Sequence, residues 1–99
     1  MITIKTEKEI ELMREPCAIV RDTLAYVGSK IRPGVTTKEL DEYAEDYIRS
    51  RGAIPSELGY CGYPASICAS VNEVVVHGIP GDRVIRDGDI VSIDLCAYK

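Results

Sequence analysis

Two side chains in the second half of the chain are of the types that hydrolytic chemistry uses. They are the carboxylate of Asp94 and the imidazole of His77, the single histidine of the sequence. A neutral imidazole donates or accepts a hydrogen bond near neutral pH, and a carboxylate binds a divalent metal. A single histidine is also compatible with a structural role. Because spacing alone does not bring the two residues together, a shared groove is a prediction.

Asp94 belongs to a segment, residues 89–97, in which apolar and polar residues alternate as they do in a β-strand. One face carries Val91, Ile93, Leu95 and Ala97, and the other carries Ser92, Asp94 and Cys96. We expect the aspartate to be carried into an apolar environment. A buried carboxylate needs a hydrogen bond, a cation or a metal ion, and no basic residue adjoins Asp94 before Lys99.

Two capping boxes, a threonine followed three residues later by a glutamate, predict two amphipathic helices that begin near Thr6 and Thr36. We expect Pro16 to kink the first helix or to separate its first turn, and Gly52 to end the second. The predicted buried face of the first helix comprises Ile10, Met13, Cys17, Val20, Leu24, Val27 and Ile31. That of the second comprises Leu40, Tyr43, Ala44, Tyr47 and Ile48, with Asp41, Glu42, Glu45 and Asp46 on a solvated face.

After Gly52 the pattern becomes typical of strands. We predict strands at residues 53–58, 65–71, 74–77 and 89–97, with a loop rich in glycine and proline at residues 59–64. Pro55 restricts the first strand to a sheet edge. The predicted fold class is α+β, with two helices packed on one face of a mostly antiparallel sheet.

The composition indicates one small globular domain of 99 residues, with 45% hydrophobic and 28% charged residues. A net charge of −4 without a basic stripe argues against nucleic acid as a partner. We predict a cytoplasmic protein that does not contact the membrane, because neither a signal peptide nor a long apolar run is present. The four cysteines form no C-x-x-C pair, and we expect them to be reduced and packed.

Two segments with their spacing carry a family resemblance. Residues 70–80, SVNEVVVHGIP, and residues 87–94, DGDIVSID, resemble the first half of type I methionine aminopeptidases. Residues 58–64, LGYCGYP, together with Cys68 and the N-terminal residues 4–14, support it. The resemblance covers essentially the whole chain, residues 1–99. It implies one half of the pita-bread fold, in which two pseudo-symmetric halves hold a pair of divalent metal ions between them.

The resemblance also implies residue roles. It makes Asp94 a metal ligand and His77 a catalytic residue that contacts the amide nitrogen of the substrate. It assigns Tyr60, Tyr63 and Cys68 to the pocket for the methionine side chain. The carbonyl groups near Asn72 and Val74 would correspond to a monovalent-cation site.

The resemblance further implies a divalent metal ion and a peptide substrate. The metal could be cobalt, manganese, iron or zinc, and the other metal ligands of the family would lie outside this chain. The implied partners are the N-terminal methionyl peptides of nascent proteins. We expect the 99 residues to be inactive in isolation and to self-associate through an uncovered sheet edge and apolar face.

Two alternatives to a methionine aminopeptidase segment remain. One is a non-catalytic module that binds protein N-termini on half of the peptidase scaffold. The other is a proline-specific peptidase of the same superfamily, against which the tyrosine-rich loop and the run VNEVVVHG at residues 71–78 argue.

Overall fold

A computed structural model describes residues 2–99. Its two helices are α1, Glu7–Lys30, and α2, Thr37–Ser50. Four short strands follow: β1, Ile54–Pro55; β2, Ile67–Val71; β3, Val91–Leu95; and β4, Ala97–Tyr98. A single 3-10 turn, Tyr60–Gly62, lies between β1 and β2. The predicted α+β class is confirmed, and no helix among the described residues is long and apolar enough to cross a membrane.

Both predicted capping boxes are present. The Thr6 side chain accepts a hydrogen bond from the backbone of Glu9, whose carboxylate accepts one from the backbone of Thr6, and Thr36 and Glu39 repeat the pattern. Gly52 follows the end of α2 with a φ of 74°, a conformation that glycine adopts without strain. Helix α1 is continuous through Pro16, so the expected separate first turn is not formed.

The buried face of α1 differs from the prediction. Ile19, Thr23 and Val27 are its buried residues, and they lie against a core that includes Leu40 and Ile48 of α2. Four members of the predicted face are exposed instead: Ile10, Met13, Cys17 and Leu24. The prediction was wrong for these positions because an apolar period of three and four fixes a face only where a neighbouring element covers it.

The predicted face of α2 is confirmed for Leu40, Ala44 and Ile48, which are buried, whereas Tyr43 and Tyr47 are half-buried. Its acidic side is not simply solvated, however. Asp41 accepts hydrogen bonds from the backbone N–H groups of Ser66 and Ile67, at 2.8 and 3.0 Å, and Glu45 accepts one from the Ser66 hydroxyl. Burial raises the pKa of Asp41, whereas these backbone hydrogen bonds lower it. Two residues predicted to face water therefore fix the start of β2.

The strands form two antiparallel pairs. Strand β2 pairs with β3, and the two-residue strands β1 and β4 pair with each other. The predicted final strand is thus divided at Cys96, and β1 is shorter than predicted because Pro55 has no backbone N–H to donate. Both helices pack against these strands, which confirms the predicted layering.

The predicted strand at residues 74–77 is absent. This segment is an irregular loop in which Val75 is 84% and Val76 63% exposed. The backbone has positive φ at Asn72 (51°) and at His77 (57°), outside the strand region. The run of valines favoured a strand, but these two turns leave it no partner strand.

Candidate functional site

The five site residues predicted from the sequence line one cavity of about 800 Å³. They are Tyr60, Tyr63, Cys68, His77 and Asp94. Glu57, Cys61, Cys96 and Ile79 also contribute to its lining. The predicted shared groove for the histidine and the aspartate therefore exists, although the residues come from two strands, a 3-10 turn and a loop.

The pairing of β2 with β3 places Cys68 beside Asp94. The two residues are directly opposite each other in the antiparallel register, so their side chains share one face of the pair. The predicted alternation along β3 is confirmed, since Leu95 is buried and Asp94 is exposed. The expected burial of Asp94 is wrong, because the helices cover only the opposite face and leave this one open to the cavity.

Two further side chains beside Asp94 were not singled out from the sequence. Ligand atoms of Glu57, Asp94 and Cys96 lie within 4.8 Å of one another. Cys96 follows Asp94 by two positions, between β3 and β4, and both line the cavity, as the alternation in the sequence predicted. Glu57 gave no local signal, because its place depends on the long-range pairing of β1 with β4, where the Ser56 N–H donates to the Cys96 carbonyl at 3.2 Å.

The electrostatic environment of this corner is negative. Burial raises the pKa of Glu57, and the nearby Asp94 carboxylate adds to that rise, whereas a hydrogen bond from the Cys68 thiol lowers it. Partial removal from water raises the pKa of the Cys96 thiol, and the Glu57 and Asp94 carboxylates raise it further. None of the ion pairs within residues 2–99 involves Glu57 or Asp94. The corner is suited to bind a cation.

Tyr63 forms a wall of the cavity and joins three parts of the chain. Its hydroxyl lies 2.9 Å from the Ile67 carbonyl oxygen and 3.3 Å from that of Gly78, and it can donate to either. Burial raises the pKa of this phenol well above its usual value, so it stays a donor. Tyr60, by contrast, is 72% exposed at the mouth of the cavity. The two predicted pocket tyrosines therefore have different surroundings.

His77 lies at the exposed rim on the loop that replaces the predicted third strand. The following residue fixes this loop: the Gly78 N–H donates to Ser70 Oγ at 3.1 Å, and its carbonyl accepts from the Ala69 N–H at 2.8 Å. A Cβ at position 78 would lie 2.9 Å from the Ser70 Cα. Only glycine permits this approach, which holds the imidazole beside the cavity.

The predicted reduced state of the cysteines agrees with the structure, in which Cys17, Cys61, Cys68 and Cys96 are all free thiols. Their predicted packing is wrong for three of them, since Cys68 is buried and the others are exposed. Three of the four line the cavity, namely Cys61, Cys68 and Cys96.

Known proteins resemble this chain in both sequence and fold. The sequence signature of Metallopeptidase family M24 matches residues 11–99. Methionine aminopeptidase 1 of Bacillus subtilis is 55% identical over 97 residues, which make up 98% of this chain and 39% of that protein. The crystal structure of methionine aminopeptidase from Rickettsia prowazekii superposes with a TM-score of 0.94 at 43% identity, covering 98% of this chain and 39% of that one.

A second crystal structure agrees. The methionine aminopeptidase of Thermotoga maritima superposes with a TM-score of 0.94 at 39% identity, over 99% of this chain and 40% of that one. The chain thus spans about two fifths of the length of these relatives and corresponds to their N-terminal half. Its helices and antiparallel strand pairs form one half of the pita-bread fold. This 99-residue chain belongs to metallopeptidase family M24.

Proposed function

We propose that residues 1–99 are the N-terminal half of a methionine aminopeptidase catalytic domain, which removes the N-terminal methionine of nascent proteins. One observation carries the proposal: the five side chains that the resemblance names line a single cavity. The family membership and the high identity to methionine aminopeptidases support it. A cytoplasmic location is part of the same proposal.

The pocket residues suit a methionine side chain. Tyr60, Tyr63 and Cys68 present aromatic and sulfur surfaces, which are polarizable and match an apolar thioether. Ile79 adds an aliphatic contact. The cavity volume of about 800 Å³ accommodates a methionyl residue together with the start of the following peptide. We assign these residues to substrate binding.

His77 and Asp94 would serve the reacting end of the cavity. His77 is exposed at the rim, where its imidazole can hydrogen-bond the peptide amide nitrogen that follows the methionine. Asp94 would hold a divalent metal ion, for which the carboxylate of Glu57 close by is a compatible neighbour. When bound, such an ion (cobalt, manganese, iron or zinc) lowers the pKa of water and polarises a carbonyl group.

The isolated chain should not turn over substrate. The potential metal ligands of the cavity are Asp94 and its neighbours Glu57 and Cys96. A pair of metal ions needs more protein ligands than these three residues supply. We expect negligible cleavage of a Met-Ala peptide by the 99-residue chain with added cobalt or manganese, measured as released methionine. Robust turnover would show that the ligands of this chain are sufficient for catalysis and would contradict this prediction.

The alternative, a non-catalytic module that binds protein N-termini, rests on the same apolar pocket. Its lining by Tyr60, Tyr63 and Cys68 lies within one chain and needs no metal to form. Isothermal titration with a methionyl peptide separates the two functions. Measurable binding without metal favours the module, and binding that requires metal favours the peptidase segment.

A further inference from the structure

Three potential metal ligands meet at one end of the cavity. A carboxylate oxygen of Glu57, one of Asp94 and the Sγ atom of Cys96 lie within 4.8 Å of one another. Ligand atoms that share one ion at bond lengths of about 2.0–2.3 Å lie roughly 3–4 Å apart. Small side-chain rotations would therefore bring all three onto a single ion. The resemblance names only one of the three, Asp94.

The backbone and a neighbouring thiol hold this arrangement in place. Asp94 of β3 and Cys96, which lies between β3 and β4, are two positions apart in one segment of the chain and both line the cavity. Glu57 is attached to that segment through the hydrogen bond from Ser56 to the Cys96 carbonyl. The thiol of Cys68, a residue only 6% exposed, donates to Glu57 Oε2 at 3.5 Å. A buried donor behind a ligating carboxylate is the usual outer support of a protein metal site.

Charge and donor chemistry indicate which ion fits. Two carboxylates face each other without a cationic side chain from residues 2–99 in an ion pair with either. A divalent ion would neutralise them. A thiolate among the ligands favours zinc or cobalt over magnesium and calcium, which prefer oxygen alone. The opposing possibility is that the two carboxylates share a proton and Cys96 is a bystander.

We propose that Glu57, Asp94 and Cys96 bind one Zn²⁺ or Co²⁺ ion within these 99 residues. Binding replaces the Sγ–H bond of Cys96 with an Sγ–metal bond, and the proton leaves to water. Water molecules complete the coordination shell. This site goes beyond the proposed peptidase function, because it requires neither substrate nor cleavage, makes Glu57 a direct ligand rather than a neighbour, and adds Cys96, which has no role there.

Cobalt reports its ligands by absorption. We propose titrating Co²⁺ into the reduced 99-residue chain under nitrogen and recording visible and near-ultraviolet spectra. We expect saturation at one equivalent with a sulfur-to-cobalt charge-transfer band. Cys96→Ser should abolish the band, and Glu57→Gln should keep it while weakening affinity at least tenfold. Cys17→Ser, an exposed cysteine on α1 outside the cavity, is the matched control and should change neither.

The wild-type spectrum alone can overturn the proposal, and the variants identify the sulfur ligand. Cobalt bound without a sulfur band, or no binding at millimolar cobalt, would overturn the proposal. So would a band that survives Cys96→Ser or disappears in Cys17→Ser. Peptide cleavage is not measured, so a failure of the peptidase proposal would leave this result unchanged. Circular dichroism of each variant verifies that α1 and α2 are retained.

Discussion

Among the single residues that line the cavity, the sequence predicted the positions of some but not of others. Alternation along the predicted final strand placed Asp94 and Cys96 on one face, and both line the cavity although β3 ends at Leu95. The family resemblance selected the residues that line the cavity. Glu57 could not be predicted, because the pairing that brings it there joins residues more than forty positions apart in sequence. Local periodicity carries no information on such contacts.

Tyr63 offers a residue-scale prediction. Tyr63→Phe removes the hydroxyl that binds the Ile67 and Gly78 carbonyl oxygens but keeps the ring. We expect the free energy of unfolding to fall by about 0.5–1.5 kcal/mol, the usual net contribution of a hydrogen bond. Urea denaturation measures this change.

The matched control for this prediction is Tyr60→Phe. Tyr60 is 72% exposed, so loss of its hydroxyl should leave the stability nearly unchanged. An equal effect of the two substitutions would show that the Tyr63 hydroxyl does not join the pocket wall to β2 and to the loop of His77.

At the scale of elements, capping and turn signals were more reliable than apolar runs. Thr6, Thr36 and Gly52 marked helix ends correctly because caps act through neighbouring residues alone. The valines at 74–76 misled because strand propensity depends on a partner strand, and the turns at Asn72 and His77 remove it. The loop formed instead brings His77 to the cavity rim.

Gly78 gives the element-scale prediction. A methyl group there would collide with the backbone of Ala69 and Ser70, so Gly78→Ala must push the loop of residues 74–80 away from β2. We expect a loss of stability of about 1–3 kcal/mol, typical of overpacking, and faster hydrogen exchange at the Ala69 amide, which donates to the Gly78 carbonyl.

Gly28→Ala serves as the control, since nothing lies within 4 Å of the added methyl group and the position is helical. This variant should be more stable by about 0.5–1 kcal/mol. If Gly78→Ala were as stable as the parent with unchanged exchange at Ala69, the close approach would not determine where the loop lies.

At the scale of the whole molecule, the layering of two helices over antiparallel strands followed from the order of sequence patterns. The order of sequence patterns did not predict which face of α1 is buried. Its apolar residues outnumber those that one neighbouring face can bury, and the structure covers Ile19 and Val27 while leaving Ile10, Met13 and Leu24 at 48, 44 and 39% exposure. Sequence alone cannot decide between two apolar faces of one helix.

The exposed apolar residues of α1, Ile10, Met13 and Leu24, leave apolar surface in contact with water. Such surface favours contact between copies, so we predict that the 99-residue chain self-associates. An isologous pair would imitate the pseudo-symmetric halves of the pita-bread fold. Light scattering should give a mass that rises with concentration, and Met13→Lys should lower it.

The control for self-association is Ile2→Lys. It makes the same kind of change at a residue that is 95% exposed and lies outside the helices. It should leave the association intact. A clean monomer at high concentration would rule the association out.

We propose that this chain supplies the methionine pocket and part of the metal site of an aminopeptidase. The most direct measurement uses a chimera in which this chain replaces the aligned segment of methionine aminopeptidase 1 of Bacillus subtilis. The release of methionine from a methionyl peptide is then followed with added cobalt. We predict turnover by the chimera, a loss of kcat/KM of about 10²–10³-fold for His77→Ala, and none for Cys17→Ser. A folded chimera that leaves the peptide intact, or one that keeps its full rate after Asp94→Asn, would contradict the claim.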